Sequence, residues 1–166
     1  MNDRIYLEKY TSQEDYEAYS KVALNEEVMT MNYGEPLPEE IVKMIFDYLL
    51  EINKLHTDFG NFKVLHKDTD EVIGFGSIKL NEELTDGELE YMLLPEYWGK
   101  GYGSELVANL LDKVNHLDSL KQIAASAAPN NIGSKKILLK NGFILTKIYE
   151  NADNGSPVEL FVKSKR

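Results

Sequence analysis

The chain has no cysteine. That removes disulfide staples, thiolate metal ligands and a thiol nucleophile from consideration. No apolar run approaches the roughly 20 residues that span a bilayer, and the start Met1-Asn2-Asp3-Arg4 lacks the apolar stretch of a secretion signal. Positive charge is scarce: 18 Lys and Arg stand against 28 Asp and Glu, for a formal net charge of -10. A net acidic protein repels phosphodiester backbones, so neither a nucleic acid nor a membrane is expected as partner. The histidines His56, His66 and His116 fall at no metal-ligand spacing, so no metal is expected either. What remains is a cytoplasmic protein of one domain, residues 1–166, with 43% hydrophobic residues to build its core.

The shortage of positive charge is uneven. Residues 1–98 carry 22 acidic and 8 basic groups, whereas residues 99–166 carry 6 acidic and 10 basic. Such segregation points to two ligands of opposite charge meeting in one molecule.

Alternation at Ile5 and Leu7 predicts a short strand. Thr11 with Glu14 three residues on predicts a capping box, opening a helix with Tyr16, Tyr19 and Ala23 on one face. The run Asn32-Tyr33-Gly34-Glu35-Pro36 ends it, and Pro38 occupies a natural first helical position. Ile41, Val42, Ile45, Phe46, Leu49, Leu50 and Ile52 follow at helical spacing. Tyr16, Tyr19, Phe46 and Tyr48 are expected in the core. Residues 62–66 and 72–80 predict a hairpin, and 88–94 a third strand ended by Pro95. A helix through Leu106 to Val114, a strand at 122–127, a helix at 131–140 and a final hairpin at 144–150 and 158–162 complete the pattern. The fold class is α/β (α+β): one mixed, mostly antiparallel sheet flanked by about four helices.

Between the third strand and the next helix lies Trp98-Gly99-Lys100-Gly101-Tyr102-Gly103-Ser104. Glycines let a backbone turn sharply and approach a ligand closely. Amides at a helix N-terminus then converge on one place, where the helix dipole favours an anion, so the segment suggests phosphate or pyrophosphate binding. The spacing is not that of a Walker A loop, and a dinucleotide fingerprint would need glycine at Ser104.

The segment resembles motif A of the GNAT superfamily of acetyl-CoA-dependent N-acetyltransferases, with Gly101 and Gly103 at its two glycine positions and Trp98 replacing the usual Gln or Arg. That replacement, with Leu94-Pro95-Glu96-Tyr97 before it, looks like the branch of ribosomal-protein-alanine (Rim-type) and polyamine acetyltransferases. Asn131-Ile132-Gly133-Ser134, followed by Asn141-Gly142-Phe143, is similar to a second signature of that branch. The order of elements matches as well, and the likeness covers essentially the whole chain.

The resemblance implies that the central strands run parallel and then splay, with pantetheine in the gap. Acetyl-CoA as cosubstrate would then contact Tyr91, Met92 and Leu93 on the strand, Gly99, Lys100, Gly101, Tyr102, Gly103 and Ser104 on the turn, and Asn131 and Ser134 on the later helix. Lys135, Lys136 and Lys140 are candidates for the adenosine-side phosphates. The implied chemistry is direct attack by an amine without an acyl-enzyme, which agrees with the absent cysteine.

Acetyl transfer needs a neutral amine, a stabilised oxyanion and a proton for the leaving thiolate. The amide of Met92 or Leu93 would polarise the thioester. Glu88 and Glu90, two apart on one strand, face the same side and are the candidate bases, with Glu150 a weaker alternative. The tyrosine acid of many relatives falls at Leu138 here, so Ser134 is the expected proton donor. The acidic residues Glu26, Glu27 and Glu35 predict a cationic acceptor, either a small-molecule polyamine or diamine or a peptide or protein N-terminal amine. A homodimer is compatible with the resemblance. The alternative reading is a catalytically silent GNAT-fold protein that binds CoA as a regulator.

Overall fold

The computed structural model describes residues 3–165; Met1 and Asn2 of the expected leaderless start lie outside the described residues, as does Arg166. The elements run β1 (Ile5–Lys9), α1 (Tyr16–Ala23), α2 (Glu26–Tyr33), α3 (Glu39–Asn53), β2 (Gly60–His66), β3 (Val72–Leu80), β4 (Asp86–Leu93), α4 (Tyr102–Asp112), β5 (Gln122–Ala127), α5 (Ile132–Lys140), β6 (Ile144–Glu150) and β7 (Pro157–Ser164).

The seven strands form one sheet in the order β1-β2-β3-β4-β5-β7-β6. Every neighbouring pair is antiparallel except β4 with β5, which is parallel. That parallel pairing is brief. Asp86, Gly87 and Glu88 pair with Gln122, Ile123 and Ala124, and the strands then separate. Beyond Glu88, β4 stays paired to β3 as far as Leu93, while β5 follows β7. The expected splay is therefore present, and it opens the middle of the sheet.

Both faces of the sheet are covered. On one, Leu89 and Leu93 of β4 pack with Leu106 and Leu110 of α4 and Leu138 of α5. On the other, Phe75 and Met92 pack with Tyr19 of α1, Val28 of α2 and Phe46 of α3. Alternate β4 residues serve opposite cores because strand side chains alternate in direction. The strand can thus present one ligand site on each side.

Three expectations near the N-terminus need correction. The capping box is Ser12 with Asp15, one residue later than predicted, because Asp15 reaches back to the amides of Thr11 and Ser12. The predicted first helix is two, so five helices, and not about four, lie among the described residues. The break falls at Leu24-Asn25, where Asn25 Oδ1 accepts from the Val28 amide and starts α2. Pro38 precedes the first turn of α3 as its cap instead of entering it. Tyr16, Tyr19 and Phe46 pack in or against the core, but Tyr48 is 65% exposed and does not belong to it.

Candidate active site

The gap between β4 and β5 opens into a cleft of about 540 Å³. Tyr91, Met92 and Leu93 of β4 form its floor, the turn and first residues of α4 one wall, and Asn131, Ser134 and Ile137 the other.

The glycines act in different ways. Gly101 has φ +88 and caps α4 in the left-handed region, where a side chain would be strained. No side chain then covers the first amides of the helix, and these amides border the cleft. A Cβ on Gly103 would lie 2.5 Å from Ile137 Cδ1, so its absence lets α4 approach α5. The acidic Glu105 in this first turn does not oppose an anion. Its carboxylate is engaged from behind by the Arg4 and Ile5 amides at 2.7 and 3.2 Å and by Arg4 Nε at 3.0 Å.

Arg4 carries no local signal in the sequence because its partners are about a hundred residues away. Its Nη1 donates to the Lys100 carbonyl at 3.1 Å, and its guanidinium sits 3.9 Å from the centre of the Tyr102 ring. Lys100 and Tyr102, both expected at the cofactor, are the two members of the turn whose side chains do not line the cleft. The Tyr102 hydroxyl instead meets His66 Nε2 at 3.1 Å, on the β2 side. Gly99, Gly101, Gly103 and Ser104 do line it.

On β4 the backbone decides between two expected roles. The Leu94 amide donates to the Ile73 carbonyl. In an antiparallel ladder every second residue faces the same partner, so the Met92 amide also turns toward β3. The amides of Tyr91 and Leu93 face the gap. Trp98, expected only to pack against the turn, donates from Nε1 to the Leu93 carbonyl at 2.8 Å. The gap therefore offers the Tyr91 backbone and the Leu93 amide to a ligand.

Asn131 caps α5, its Oδ1 accepting from the Ser134 amide at 3.2 Å. This leaves the Ser134 hydroxyl free, and it lies 2.8 Å from the Tyr91 hydroxyl. Burial pushes the Tyr91 phenol up to about 12, with the Ser134 bond partly opposing the shift. Leu138 is fully buried in the core below α5. Of the three lysines, Lys136 and Lys140 border the cleft, whereas Lys135 is drawn away to Glu159 at 3.0 Å.

The two candidate bases part company. Both are exposed on the same side of β4, but Glu90 borders the pockets beside the cleft and Glu88 does not. A recess of about 70 Å³ at the strand gap has Glu90 in its wall and shares Tyr91, Asn131 and Ser134 with the cleft. Glu88 sits where β4 and β5 are still paired. Glu26, Glu27 and Glu35 are exposed and line neither the cleft nor that recess; α2 contributes Met31 and Asn32 instead. Glu150 is exposed on β6 and likewise absent from these walls.

The cleft suits a pantetheine-linked pyrophosphate. It joins open helix amides and two lysines at one end to unpaired strand backbone at the other. Among the described residues no three His, Asp or Glu side chains group as a metal site, and no helix is long and apolar enough to cross a membrane.

Comparison with known proteins agrees with this geometry. The family model for the acetyltransferase (GNAT) domain matches residues 4–144. The N-acetyltransferase p20 of Bacillus licheniformis is 33% identical over 129 residues, covering 75% of this chain and 69% of that protein. Among solved structures, the ribosomal-protein-S5-alanine acetyltransferase of Vibrio fischeri superposes with TM-score 0.80 at 20% identity, over 99% of this chain and 95% of that one. The spermidine N-acetyltransferase of Vibrio cholerae, in complex with CoA and spermine, gives TM-score 0.79 at 19% identity, over 99% and 97%. Since the matched family domain runs from Arg4 behind the turn to beyond Lys140 at the cleft's edge, the chain belongs to the GNAT acetyltransferases.

Proposed function

We propose that this enzyme moves the acetyl group of acetyl-CoA to a primary amine by direct attack in a ternary complex. The observation that carries the reading is the unpaired stretch of β4, with the open N-terminus of α4 on one side and the Tyr91–Ser134 hydroxyl pair on the other. Acetyl-CoA bound there supplies an activated acyl group and a thiol leaving group.

The chain's own groups divide the remaining work. The first amides of α4, with Lys136 and Lys140, hold the phosphates. The Tyr91 backbone pairs with the pantetheine arm. The Leu93 amide, aimed into the gap, donates to the thioester oxygen and stabilises the charge that develops on it. Glu90 takes the proton of the incoming ammonium, directly or through one water. Ser134 gives its hydroxyl proton to the departing thiolate and regains one from the Tyr91 phenol 2.8 Å away, and the second proton of the adduct nitrogen leaves through water to restore the pair.

The acceptor arrives as a cation. Glu26, Glu27 and Glu35 act on it through their field and not by contact, raising the local concentration of a polyamine, a diamine or a protein N-terminus. For a homodimer, the sheet edge offers a surface: all seven residues of β6 are exposed, among them Ile144 and Ile148.

Thermal unfolding with and without acetyl-CoA tests the reading. Ligand at a hundred times its dissociation constant adds about 2.7 kcal/mol. For a chain of this size the midpoint rises by about 5–11 °C. ATP and NAD, as controls, produce no rise. No rise at saturating acetyl-CoA would refute the assignment.

A further inference from the structure

On the far side of β4 from the cleft, a second pocket of about 70 Å³ lies between the sheet and the first three helices. Its walls include Tyr19, Tyr33, Tyr48, Phe75 and Met92. Glu90 borders both this pocket and the recess at the strand gap, so one carboxylate stands between the acetyl-transfer site and an aromatic chamber. Lys79 of β3 borders the same chamber. It lies directly across from Glu88 and diagonally from Glu90 in the β3–β4 register, yet no ion pair joins Lys79 to a carboxylate among the described residues.

We infer that the acceptor is an amine carrying a single positive charge on an aromatic or branched apolar body, with its nitrogen at Glu90 and its body against the tyrosine-lined wall of this pocket. The inference rests on the acetyl-transfer reading and narrows its substrate. Three features of the chamber support it. The aromatic and aliphatic walls gain from burying apolar surface, and tyrosine faces also tolerate an adjacent ammonium. The polar lining is partly committed: Asn61 is tied to Asn53, with Nδ2 donating to Oδ1 at 3.1 Å and the Asn61 amide to the same oxygen at 2.7 Å. Lys79 sets the polarity. A linear diamine or polyamine laid along the chamber from Glu90 would bring its second ammonium toward a lysine. An apolar group does not meet that cost. A free arylalkylamine and a protein N-terminus with an apolar first residue present this same chemistry.

The test uses the whole enzyme with acetyl-CoA. Coenzyme binding is first measured by calorimetry, without any amine. Initial rates of thiol release are then compared for 2-phenylethylamine, putrescine, spermidine, and two short peptides that begin with phenylalanine or glycine. The expected result is a kcat/KM for 2-phenylethylamine at least about tenfold above putrescine and spermidine, the size of discrimination an apolar pocket can provide. The phenylalanine peptide should exceed the glycine peptide. Whichever of the phenylalanine peptide and the free amine is used better identifies the source.

A Lys79→Glu variant should raise turnover of putrescine several-fold relative to 2-phenylethylamine. Putrescine or spermidine used as well as 2-phenylethylamine by the unaltered enzyme overturns the inference. So does acetyl-CoA binding with neither turnover nor calorimetric binding of the aromatic amine. Absence of acetyl-CoA binding instead overturns the acetyl-transfer reading itself, so the two failures are distinguishable.

Discussion

The Tyr91 hydroxyl lies 2.8 Å from Ser134 Oγ, joining β4 to α5 at the point where the cleft meets the recess beside Glu90. The Ser134 carbonyl is a second, longer acceptor for the phenol, at 3.3 Å. When the phenol donates to Oγ, the serine's own hydrogen is left for the thiolate. As that hydrogen departs, the phenol's own proton passes to the serine oxygen, so two protons move together.

Tyr91→Phe should therefore lower kcat about tenfold with little change in KM for acetyl-CoA, and Ser134→Ala should lower it about a hundredfold, at the low end for loss of a general acid. Steady-state thiol release measures both. The solvent isotope effect separates chemistry from structure. A proton inventory on kcat should curve in the unaltered enzyme, where two protons move, and become linear in Tyr91→Phe.

Glu90→Gln should reduce kcat/KM by about a hundredfold, as loss of a general base does. Glu88→Gln should stay within about twofold, because its neighbours on β4 and β5 are still paired and it borders neither the cleft nor the recess. Equal losses in the two variants would contradict the assignment of the base to Glu90.

Arg4→Ala removes the side chain that ties β1 to the glycine turn. It leaves the Glu105 carboxylate, whose side chain is 8% exposed, with only two backbone amides as partners. A charged hydrogen bond of this kind is worth about 1.5–3 kcal/mol. The thermal midpoint should fall accordingly, and coenzyme affinity should weaken because the Lys100 carbonyl loses its anchor. A midpoint and CoA dissociation constant unchanged from wild type would show that the turn holds its shape alone.

Alkaline pH should unfold the protein through its tyrosines. Burial raises the phenols of Tyr91 and Tyr33 to about 12, with the Glu90 charge adding to the shift at Tyr33. Burial moves Tyr10 and Tyr19 in the same direction. The unfolded chain ionises tyrosine near 10. The folded state is therefore favoured in full below that pH, and its advantage is lost as pH rises through about 10 to 12. The midpoint should be level below about pH 9 and fall above pH 10, together with the ultraviolet signal of tyrosinate.

The strand and helix order, the glycine turn and the two ends of the later signature could be read from local chemistry. Alternation, helical spacing and glycine placement are written within a few residues of one another. The boundary errors near the N-terminus have the same origin. Asp15 accepts from the amides of both Thr11 and Ser12, and only the Ser12 hydroxyl, which accepts from the Glu14 amide, marks Ser12 as the cap.

By itself the sequence determined an α/β chain with a phosphate-seeking turn and no thiol chemistry, because those properties depend on residue types and short spacings. Tertiary structure alone decided which groups face one another. It turned the Leu93 amide to the gap and the Met92 amide away. It turned the Lys100 carbonyl and the Tyr102 ring toward Arg4. It set Glu90 at the junction of two pockets while Glu88 stayed outside both, and it brought Lys79 to an aromatic wall that no stretch of sequence contains. The physical reason is that strand pairing and helix packing join residues dozens of positions apart, and chemistry depends on distance in space.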